Sequence, residues 1–472
     1  MKLLTQILKR VASTRPKKVG TDAEQASFAT LLPALGGVSA TDAIHRRIRG
    51  NLGVAISAES PSIAKPAATR TTHLCDGDRL TLHVAKSSSE VEQLRGFWKR
   101  WNRHLHCDID SFLSLDRHHQ DILRPHVMVV YRQGRVECIL VGRLEKGRTS
   151  FSMGGAKILL PQAKTLYFLY EGFLGKQSEE SSNLLVQGIM ESLYDGEADF
   201  AELSQLRVDS PLYRAARHLP SVLCRDHFPA TVQHRSLILP NSFQDLVASL
   251  SRKDRHNFRR QKNRLLEKFS GQVRIQCFRR EDELEVLVRD VEEVAKKSYL
   301  RIFGMGFFDK CETKEELRRE ARKGRLYGYV LYLTDKPSAF IIGQRYQGTF
   351  SGRSMGYDPE YSRYSPGSFL LMHCLEQCFL EDAAGKIVRV DFGPGNQRYK
   401  RIWFREDRQE ATVNIFAPTF KARGLNLLRT VLVVVHQSGR WFIAKTNIRD
   451  NASRTWRMIV TRYRNGKARV SG

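Results

Sequence analysis

The sequence lacks several features that would narrow its class at once. Its eight cysteines form no C-x-x-C pair, and no histidine–cysteine group has the spacing of metal ligands, so no metal site is expected. No apolar run approaches the length of a membrane-spanning helix. The N-terminal apolar run is too short for a signal peptide, because Lys9 and Arg10 interrupt it. The scattered cysteines favour a reducing cytoplasm.

Acidic residues are scarce relative to basic ones. The chain of 472 residues has 77 lysines and arginines against 50 acids, which gives a formal net charge of +27. Such an excess predicts an anionic partner, which would be nucleic acid, an acidic membrane surface or a phosphorylated substrate. Basic tails on an ordinary soluble protein would give the same total, because the chain ends carry much of the excess.

Composition and periodicity divide the chain into four parts. Residues 1–78 are rich in Ala, Ser, Thr, Pro and basic residues, and we expect a disordered leader. Strand and helix patterns alternate over residues 79–235 and again over residues 236–418, which predicts two α/β domains. Residues 419–472 form a basic tail with interleaved aromatic side chains. This composition suits a membrane surface or nucleic acid, and simple packing of a C-terminal helix on the domain is the alternative.

The two α/β segments align on each other without a gap for some distance. The matched pairs, at a constant offset of 201 residues, are Tyr131 with Tyr332, Gly142 with Gly343 and Gly155 with Gly356. The shared order of strands and turns predicts an internal duplication. Glu202 falls close to the position of Asp391, but the first copy lacks the motifs that surround Asp391. The first half is therefore expected to be structural, or to provide one wall of a shared cleft.

The densest set of motifs lies within residues 357–403. A tyrosine-rich loop leads into Pro366-Gly367-Ser368 and an apolar helix. A short strand then ends at Asp391-Phe392-Gly393, and a turn presents Tyr399 and Lys400. Backbone N–H groups at a helix start carry positive partial charge and suit a phosphate or pyrophosphate. A lysine after the next strand could meet developing negative charge. The pattern predicts transfer chemistry with a phosphate-bearing cofactor.

These motifs resemble those of a known family. In order, they are G-Y-D at Gly356–Asp358, Y-x-x-Y-S-P-G at Tyr361–Gly367, D-F-G-x-G at Asp391–Gly395 and Y-K-x-x-W at Tyr399–Trp403. The order is similar to that of BioF-like, cellulose-biosynthesis-type acetyltransferases of the GNAT superfamily, which are related in fold to Fem-type aminoacyl transferases. The resemblance is specific over about residues 245–408 and weaker over residues 80–235.

The resemblance implies an α/β fold of tandem GNAT-like domains with mixed central sheets, the C-terminal one carrying the site. It implies transfer of an acyl group, expected to be acetyl, from acyl-CoA to an amine or hydroxyl. The acceptor would be a small molecule or a cell-envelope or polysaccharide precursor. The protein would be cytoplasmic, or peripheral on the inner face of an anionic membrane.

The superfamily's usual Gln/Arg-x-x-Gly-x-Gly/Ala loop is absent, and Arg363-Tyr364-Ser365-Pro366-Gly367 stands in its place. This departure keeps two alternatives open. One is a Fem-type transferase whose donor, and therefore partner, is aminoacyl-tRNA. The other is a non-catalytic scaffold associated with a membrane or with nucleic acid.

The motifs and the resemblance assign roles to individual residues. Lys400 is expected to stabilise an oxyanion, Asp391 to act as general base if burial raises its pKa, and Tyr399 to orient the substrate or protonate the departing thiolate. The expected cofactor-binding residues are Ser365, Gly367 and Ser368. The expected substrate contacts are Tyr357, Tyr361, Arg255, Arg259, Arg345 and Arg353. Each role has a plain structural alternative, such as a solvated lysine, a turn-capping aspartate or an ordinary Pro-Gly turn.

Overall fold

The structure is a computed structural model, and it describes residues 70–71, 80–115, 121–153, 156–298, 301, 306–380, 385–395, 397–404 and 406–445. The leader that was expected to be disordered, residues 1–78, lies outside the described residues apart from Arg70 and Thr71. The basic tail beyond Lys445 also lies outside them.

The first half of the described chain alternates strands with helices. Its strands are β1 (Arg70–Thr71), β2 (Leu80–Ala85), β3 (Ile122–Pro125), β4 (Val127–Arg132), β5 (Arg135–Met153), β6 (Ala156–Gly175), β7 (Phe200–Arg207) and β8 (Ala230–Ile238). Its helices are α1 (Ser88–Gln93), α2 (Arg95–Trp101), α3 (Ile109–Leu115), α4 (Glu179–Tyr194) and α5 (Pro211–His218). Gln133 and Gly134 both have positive φ, so they form a tight hairpin turn between β4 and β5.

Two helices, α6 (Phe243–Ala248) and α7 (Arg252–Lys268), lead into the second half. Ser242 and Ser251 begin them, because each hydroxyl accepts a hydrogen bond from the backbone N–H three residues later. The strands that follow are β9 (Val273–Phe278), β10 (Leu326–Leu333), β11 (Lys336–Tyr346), β12 (Thr349–Tyr357), β13 (Arg389–Pro394) and β14 (Glu406–Phe416). The helices are α8 (Leu284–Lys297), α9 (Cys311–Arg322), α10 (Pro366–Gln377), α11 (Arg398–Trp403) and α12 (Phe420–Lys445).

The two halves repeat one order of elements. In each, a strand, a helical segment and three antiparallel strands are followed by a long helix, a strand, a short helix and a last strand. The strand after the long helix pairs in parallel with the strand before it, as β6 does with β7 and β12 does with β13. This shared order confirms the predicted α/β fold of two repeated halves.

The constant offset of 201 residues applies only to part of the repeat. Gly142 and Gly343 occupy matching positions, each beside a register shift in the pairing of its strand with the next one. Beyond them the offset fails, because β5 continues to Met153 whereas β11 ends at Tyr346. Gly155, which the offset matches with Gly356, lies outside the described residues.

The last strand of each half is exchanged. β8, which ends the first half, pairs with β13 of the second half, and β14, which ends the second half, pairs with β7 of the first. β8 and β14 also pair with each other. One continuous sheet results, instead of the two predicted side by side, with strand order β1-β2-β4-β5-β6-β7-β14-β8-β13-β12-β11-β10-β9 and β3 beside β5. The domain boundary predicted between residues 235 and 236 falls inside β8.

Helices cover both faces of the sheet in the second half. Along β10, which is buried over its whole length, Tyr329 and Leu331 pack in the same cluster as α10. Val330 and Tyr332 pack with α8 and α9 in a separate cluster. Because successive side chains of a strand point to opposite faces, α10 lies on one face and the α8–α9 pair lies on the other.

α12 is fastened to the first half by buried polar groups. Arg429 forms an ion pair with Asp226, which is fully buried and also accepts hydrogen bonds from the N–H of Phe228 at 3.0 Å and from Asn414 at 3.2 Å. The amide of Asn426 donates to the carbonyl of Leu223 at 3.1 Å. Among the described residues, no helix is long and apolar enough to cross a membrane.

We expect Arg429→Leu to lower the free energy of unfolding by about 3 kcal/mol, because it leaves the buried Asp226 carboxylate without its cation. Lys421→Leu on the same helix is the control. Its ion pair with Asp199 is half-exposed, and such pairs contribute less than about 1 kcal/mol. Urea unfolding of both variants checks this, and equal losses would contradict the anchoring role of Arg429.

Candidate active site

A fork between two parallel strands lies at the centre of the candidate site. β12 and β13 pair only over three residues, with Ser351 opposite Asp391 as the last pair. Beyond this point β12 continues to Tyr357, whereas β13 shifts register against β8 and ends at Pro394. The strands therefore separate, and backbone groups of β12 are left beside the opening.

The start of α10 faces this opening. Ser365, its N-terminal flanking residue, has a left-handed conformation and makes no side-chain capping hydrogen bond. The first intrahelical bond runs from Phe369 N–H to the carbonyl of Ser365 at 3.1 Å. The N–H groups of Gly367 and Ser368 precede that bond, and the first turn has no acidic residue. Such a helix start is suited to bind an anion.

Gly367 brings the helix start close to the end of β12. A Cβ added at Gly367 would lie 3.3 Å from the ring of Tyr357, so a larger residue would push the helix start away from the strand. Ser365, Gly367, Ser368 and Tyr357, which were predicted from the sequence, are thus brought together at one end of the fork. Tyr361 is half-buried and packs on Phe269, 5.9 Å away between ring centres.

Lys400 is buried at the end of β13, and its ammonium donates all its protons to backbone carbonyls. It is 2% exposed and donates to the carbonyls of Phe392, Gly393 and Pro394 at 2.7, 2.6 and 2.9 Å. Because an ammonium has three protons, none is left for an oxyanion. Burial lowers the pKa of Lys400 to about 8, and the charge of Asp391 opposes this. The geometry gives Lys400 a positioning role, since it holds the end of β13 away from β12.

Aromatic rings line the α10 side of the fork. The ring of Phe392 lies where a Cβ of Gly352 would be, 2.3 Å from it. Tyr399 is half-buried, and its ring centre lies 6.1 Å from that of Phe392 and 6.3 Å from that of Phe404. Tyr399 therefore packs against the aromatic wall of the fork.

Asp391 lies on the opposite side of the fork, in a buried charge network. Both its carboxylate oxygens accept from Nε2 of His234, at 2.8 and 2.9 Å, and Oδ1 also accepts from the N–H of Gly393 at 2.6 Å. Nδ1 of His234 lies 3.0 Å from Oε2 of Glu410. His234 and Glu410 are almost completely buried. The imidazole therefore bridges two carboxylates that come from two different strands, β13 and β14.

The network continues into the first half. The ring of Tyr170 stacks on His234 with centres 6.0 Å apart, and the Tyr170 hydroxyl accepts a hydrogen bond from Arg408 at 2.7 Å. His104 and His106, both half-exposed, pack against the same ring at 5.1 and 5.6 Å. The first half therefore provides one wall of the site, as the sequence comparison of the two halves indicated.

The charges in this network change two pKa values. Burial acts to lower the pKa of His234, but its hydrogen bonds to Asp391 and Glu410 raise that pKa to about 9. Burial likewise acts to raise the pKa of Asp391, but the hydrogen bond and charge of His234 hold it well below its usual range. The condition set for Asp391 as a general base, a raised pKa, is therefore not met.

The four predicted arginines do not meet at the fork. Arg345 is buried at the other end of α10, where it donates to the carbonyl of Gln377 at 3.3 Å. Arg353 forms an ion pair with Glu316 of α9, on the face of the sheet opposite α10. The exposed Arg255 donates to the carbonyl of Ala248 at 2.6 Å. Both strand arginines therefore have structural partners that the sequence could not reveal.

The basic helix α7 approaches the fork through its C-terminal end. Arg264 donates to the carbonyl of Arg363, just before the start of α10, at 3.2 Å. Arg259 is exposed and lies more than one helical turn before Arg264. Arg255 lies nine residues before Arg264, which is about 13 Å along the helix axis. Arg264 thus brings positive charge to the segment just before the uncapped helix start, and it was not among the predicted contacts.

The corresponding helix of the first half, α4, starts differently. Ser178 caps it, its hydroxyl accepting from the N–H of Ser181 at 3.1 Å, and the Ser181 hydroxyl oxygen accepts from the N–H of Ser178 at 3.2 Å. Glu179 and Glu180 occupy its first turn. The cap satisfies the N–H of Ser181, and the two carboxylates pair with Arg214 and Arg132. The start of α4 is therefore occupied by side chains of the protein, whereas the start of α10 is uncapped.

Sequence reasoning missed His234, Glu410, Tyr170 and the two histidines His104 and His106. The exchange of the last strands brings His234 to Asp391 from 157 residues away and to Glu410 from 176. No local motif signals such pairs. Within the described residues, no group of three or more His, Cys, Asp or Glu side chains is arranged to hold a metal ion.

The fold and the site define a class. The predicted α/β fold with a mixed sheet is confirmed, and in its second half a parallel step opens into a fork in front of a helix start. Residues 252–401, from α7 into α11, match the family model described as Acetyltransferase (GNAT) domain. This region includes the open helix start, Asp391 and Lys400. No curated protein matches the chain.

Several solved structures are similar to most of the described chain. A tandem GNAT protein from the clavulanic acid biosynthesis pathway is 11% identical, with a TM-score of 0.43 over 72% of this chain and 99% of that one. The C-terminal DUF2156 domain of a putative lysylphosphatidylglycerol synthetase from Agrobacterium fabrum is 13% identical, with a TM-score of 0.41 over 74% and 98%. FemX is 10% identical, with a TM-score of 0.41 over 62% and 88%. Such low scores say nothing about substrates.

His234 gives the protein a defined pH dependence of stability. Because folding raises its pKa from 6.5 to about 9, its contribution is fully present below pH 6.5 and is lost as the pH rises through 9. The full contribution is about 3 kcal/mol. We expect the thermal midpoint to fall across this range, and His234→Gln to remove most of that fall.

The matched control is His126→Gln. His126 is also fully buried, but burial lowers its pKa to about 3, so it does not titrate between pH 6.5 and 9. A fall in the thermal midpoint that persists in His234→Gln would contradict the assignment of a charged His234.

Proposed function

We propose that the protein is an acyl-CoA-dependent N- or O-acyltransferase whose single donor site is the fork of the second half. The observation that carries this is the difference between the two helix starts. In α10 the N–H groups of Gly367 and Ser368 precede the first intrahelical bond, the first turn has no acidic residue, and Ser365 makes no side-chain capping hydrogen bond. α4 is capped and carries two carboxylates. The match of residues 252–401 to a GNAT acetyltransferase domain supports the same half.

The residues at the helix start fit the donor's pyrophosphate. The N–H groups of Gly367 and Ser368 would donate to it, and the guanidinium of Arg264, which donates to the carbonyl of Arg363 just before the helix, would add positive charge. The aromatic side of the fork, with Phe392 and Tyr399, would hold the acyl-bearing arm, since it is apolar and half-exposed. When bound, the donor supplies a thioester, from which a good thiolate leaving group departs.

The acceptor would approach from the other face, where both halves contribute residues. There Asp391, held as a carboxylate by His234, would orient an amine or hydroxyl through its remaining hydrogen-bonding capacity. The proton of the acceptor would pass to a neutral imidazole of His104 or His106, since both are half-exposed beside Tyr170.

The acceptor class stays open between a small amine and a saccharide or cell-envelope precursor. Seven described cysteines are free thiols, which supports a reducing, cytoplasmic location.

The aminoacyl-tRNA alternative is supported by the exposed cations of α7, such as Arg255, Arg259 and Arg260. It predicts steeply salt-dependent RNA binding. A non-catalytic scaffold would bind neither donor.

We expect Gly367→Glu to raise the dissociation constant of acetyl-CoA about tenfold or more, because it places a carboxylate where the pyrophosphate binds, as Glu180 stands in α4. Gly367→Gln adds the same volume without the charge and should weaken binding less. Isothermal titration of both variants measures this. Glu180→Gln in the first half should leave the dissociation constant unchanged.

The outcomes separate the proposals. Equal weakening by the Glu and Gln variants would mean that volume and not charge matters at Gly367, against a pyrophosphate site there. An absence of any acetyl-CoA binding by the wild type, together with RNA binding that weakens as salt rises, would replace the acyl-CoA donor with aminoacyl-tRNA.

We expect the double variant His104→Asn, His106→Asn to lower kcat/KM by about 10²-fold or more while leaving the acetyl-CoA dissociation constant unchanged. The acceptor for this assay comes from a screen of amines and sugars that follows release of the CoA thiol. A variant with wild-type kcat/KM would remove both histidines from the reaction.

A further inference from the structure

The outer face of α12 is apolar where a surface helix is normally polar. Among the described residues, fifteen large apolar side chains are exposed, and five of them lie within residues 420–435. They are Phe420, Leu427, Val431, Val434 and Val435, with exposed fractions of 95, 66, 45, 42 and 58%. Their spacing of three, four and seven residues puts the last four on one stripe of the helix.

The polar side chains of the same helix point the other way. Arg429 and Asn426 are buried, where they bind Asp226 and the carbonyl of Leu223. Ala422 and Leu425 fill the space between them in the core of the first half. The helix is thus held by polar contacts on its inner side and presents leucine and valine outward, the reverse of the usual arrangement. An apolar partner would bury these exposed side chains of its outer face.

The charge around the stripe indicates which partner. Lys421 and Arg423 lie at the start of the helix. The 27 residues that follow it, 446–472, contain seven lysines and arginines and one acid, Asp450. A second copy of the chain would bring two such basic segments together, and they would repel each other. A shallow apolar layer beneath a negative surface matches both the stripe and the charge, as an anionic phospholipid membrane provides.

We propose that α12 lies in the plane of an anionic membrane surface, with Leu427, Val431, Val434 and Val435 inserted among the lipids. The polar contacts of Arg429 and Asn426 anchor α12 to the first half, so the membrane contact would hold this half of the protein as well.

The test is flotation of the full-length chain with vesicles of phosphatidylcholine, with and without phosphatidylglycerol. We expect binding only to the vesicles that contain phosphatidylglycerol, and a fall of about tenfold in the bound fraction for Leu427→Glu, Val431→Glu, Val435→Glu. The control is Leu123→Glu, Leu380→Glu, Val388→Glu, which replaces three other exposed apolar residues and changes the net charge equally. It should bind nearly as the wild type does.

A second readout does not depend on the triple variant folding. Hydrogen exchange of the wild type should slow in residues 427–435 when phosphatidylglycerol vesicles are added. Failure of the wild type to bind these vesicles overturns the proposal, as does equal loss of binding in both triple variants. A wild-type dimer in sedimentation that dissociates in the α12 variant, without vesicle binding, would assign the face to a second copy instead.

Discussion

The hydrogen-bonded trio of Asp391, His234 and Glu410 depends on the exchange of the last strand between the halves, and the candidate site depends on the trio. β8 lies between β13 and β14, so His234 meets one carboxylate on each side. Neither half alone contains this arrangement. The exchange therefore makes the halves inseparable and puts the first half's Tyr170 and His104 beside the second half's fork.

A charged imidazole buried between two carboxylates is stable only while all members are present. Removing one leaves an unpaired charge away from water, which costs far more than an exposed ion pair gives. The same logic holds for Lys400. Three backbone carbonyls at the end of β13 accept the hydrogen bonds that water would accept from an exposed ammonium. Both groups are used to fix backbone geometry.

The sequence was most informative where function depends on neighbouring residues. The start of α10, with Ser365, Gly367 and Ser368, is a local feature, and its prediction as an open helix start agrees with the structure. Lys400 and Asp391 were found by their motif, but their partners depend on how a bend closes and on a strand from the other half. Arg345 was predicted on a central strand, but which end of α10 it would meet depends on the register and direction of that strand. Local sequence patterns could not predict contacts between residues that are far apart in the chain.

The position of β14 also affects how the chain folds during synthesis. β7 ends at Arg207, but the strand that covers its outer edge, β14, is complete only at Phe416, which is 416 − 207 = 209 residues later. At about 5–20 residues per second, a ribosome needs roughly 10–40 s for that length. Throughout this interval the nascent first half has an uncovered strand edge, which is a template for wrong pairing. The exchange that builds the site therefore delays completion of the sheet until both halves have been synthesised.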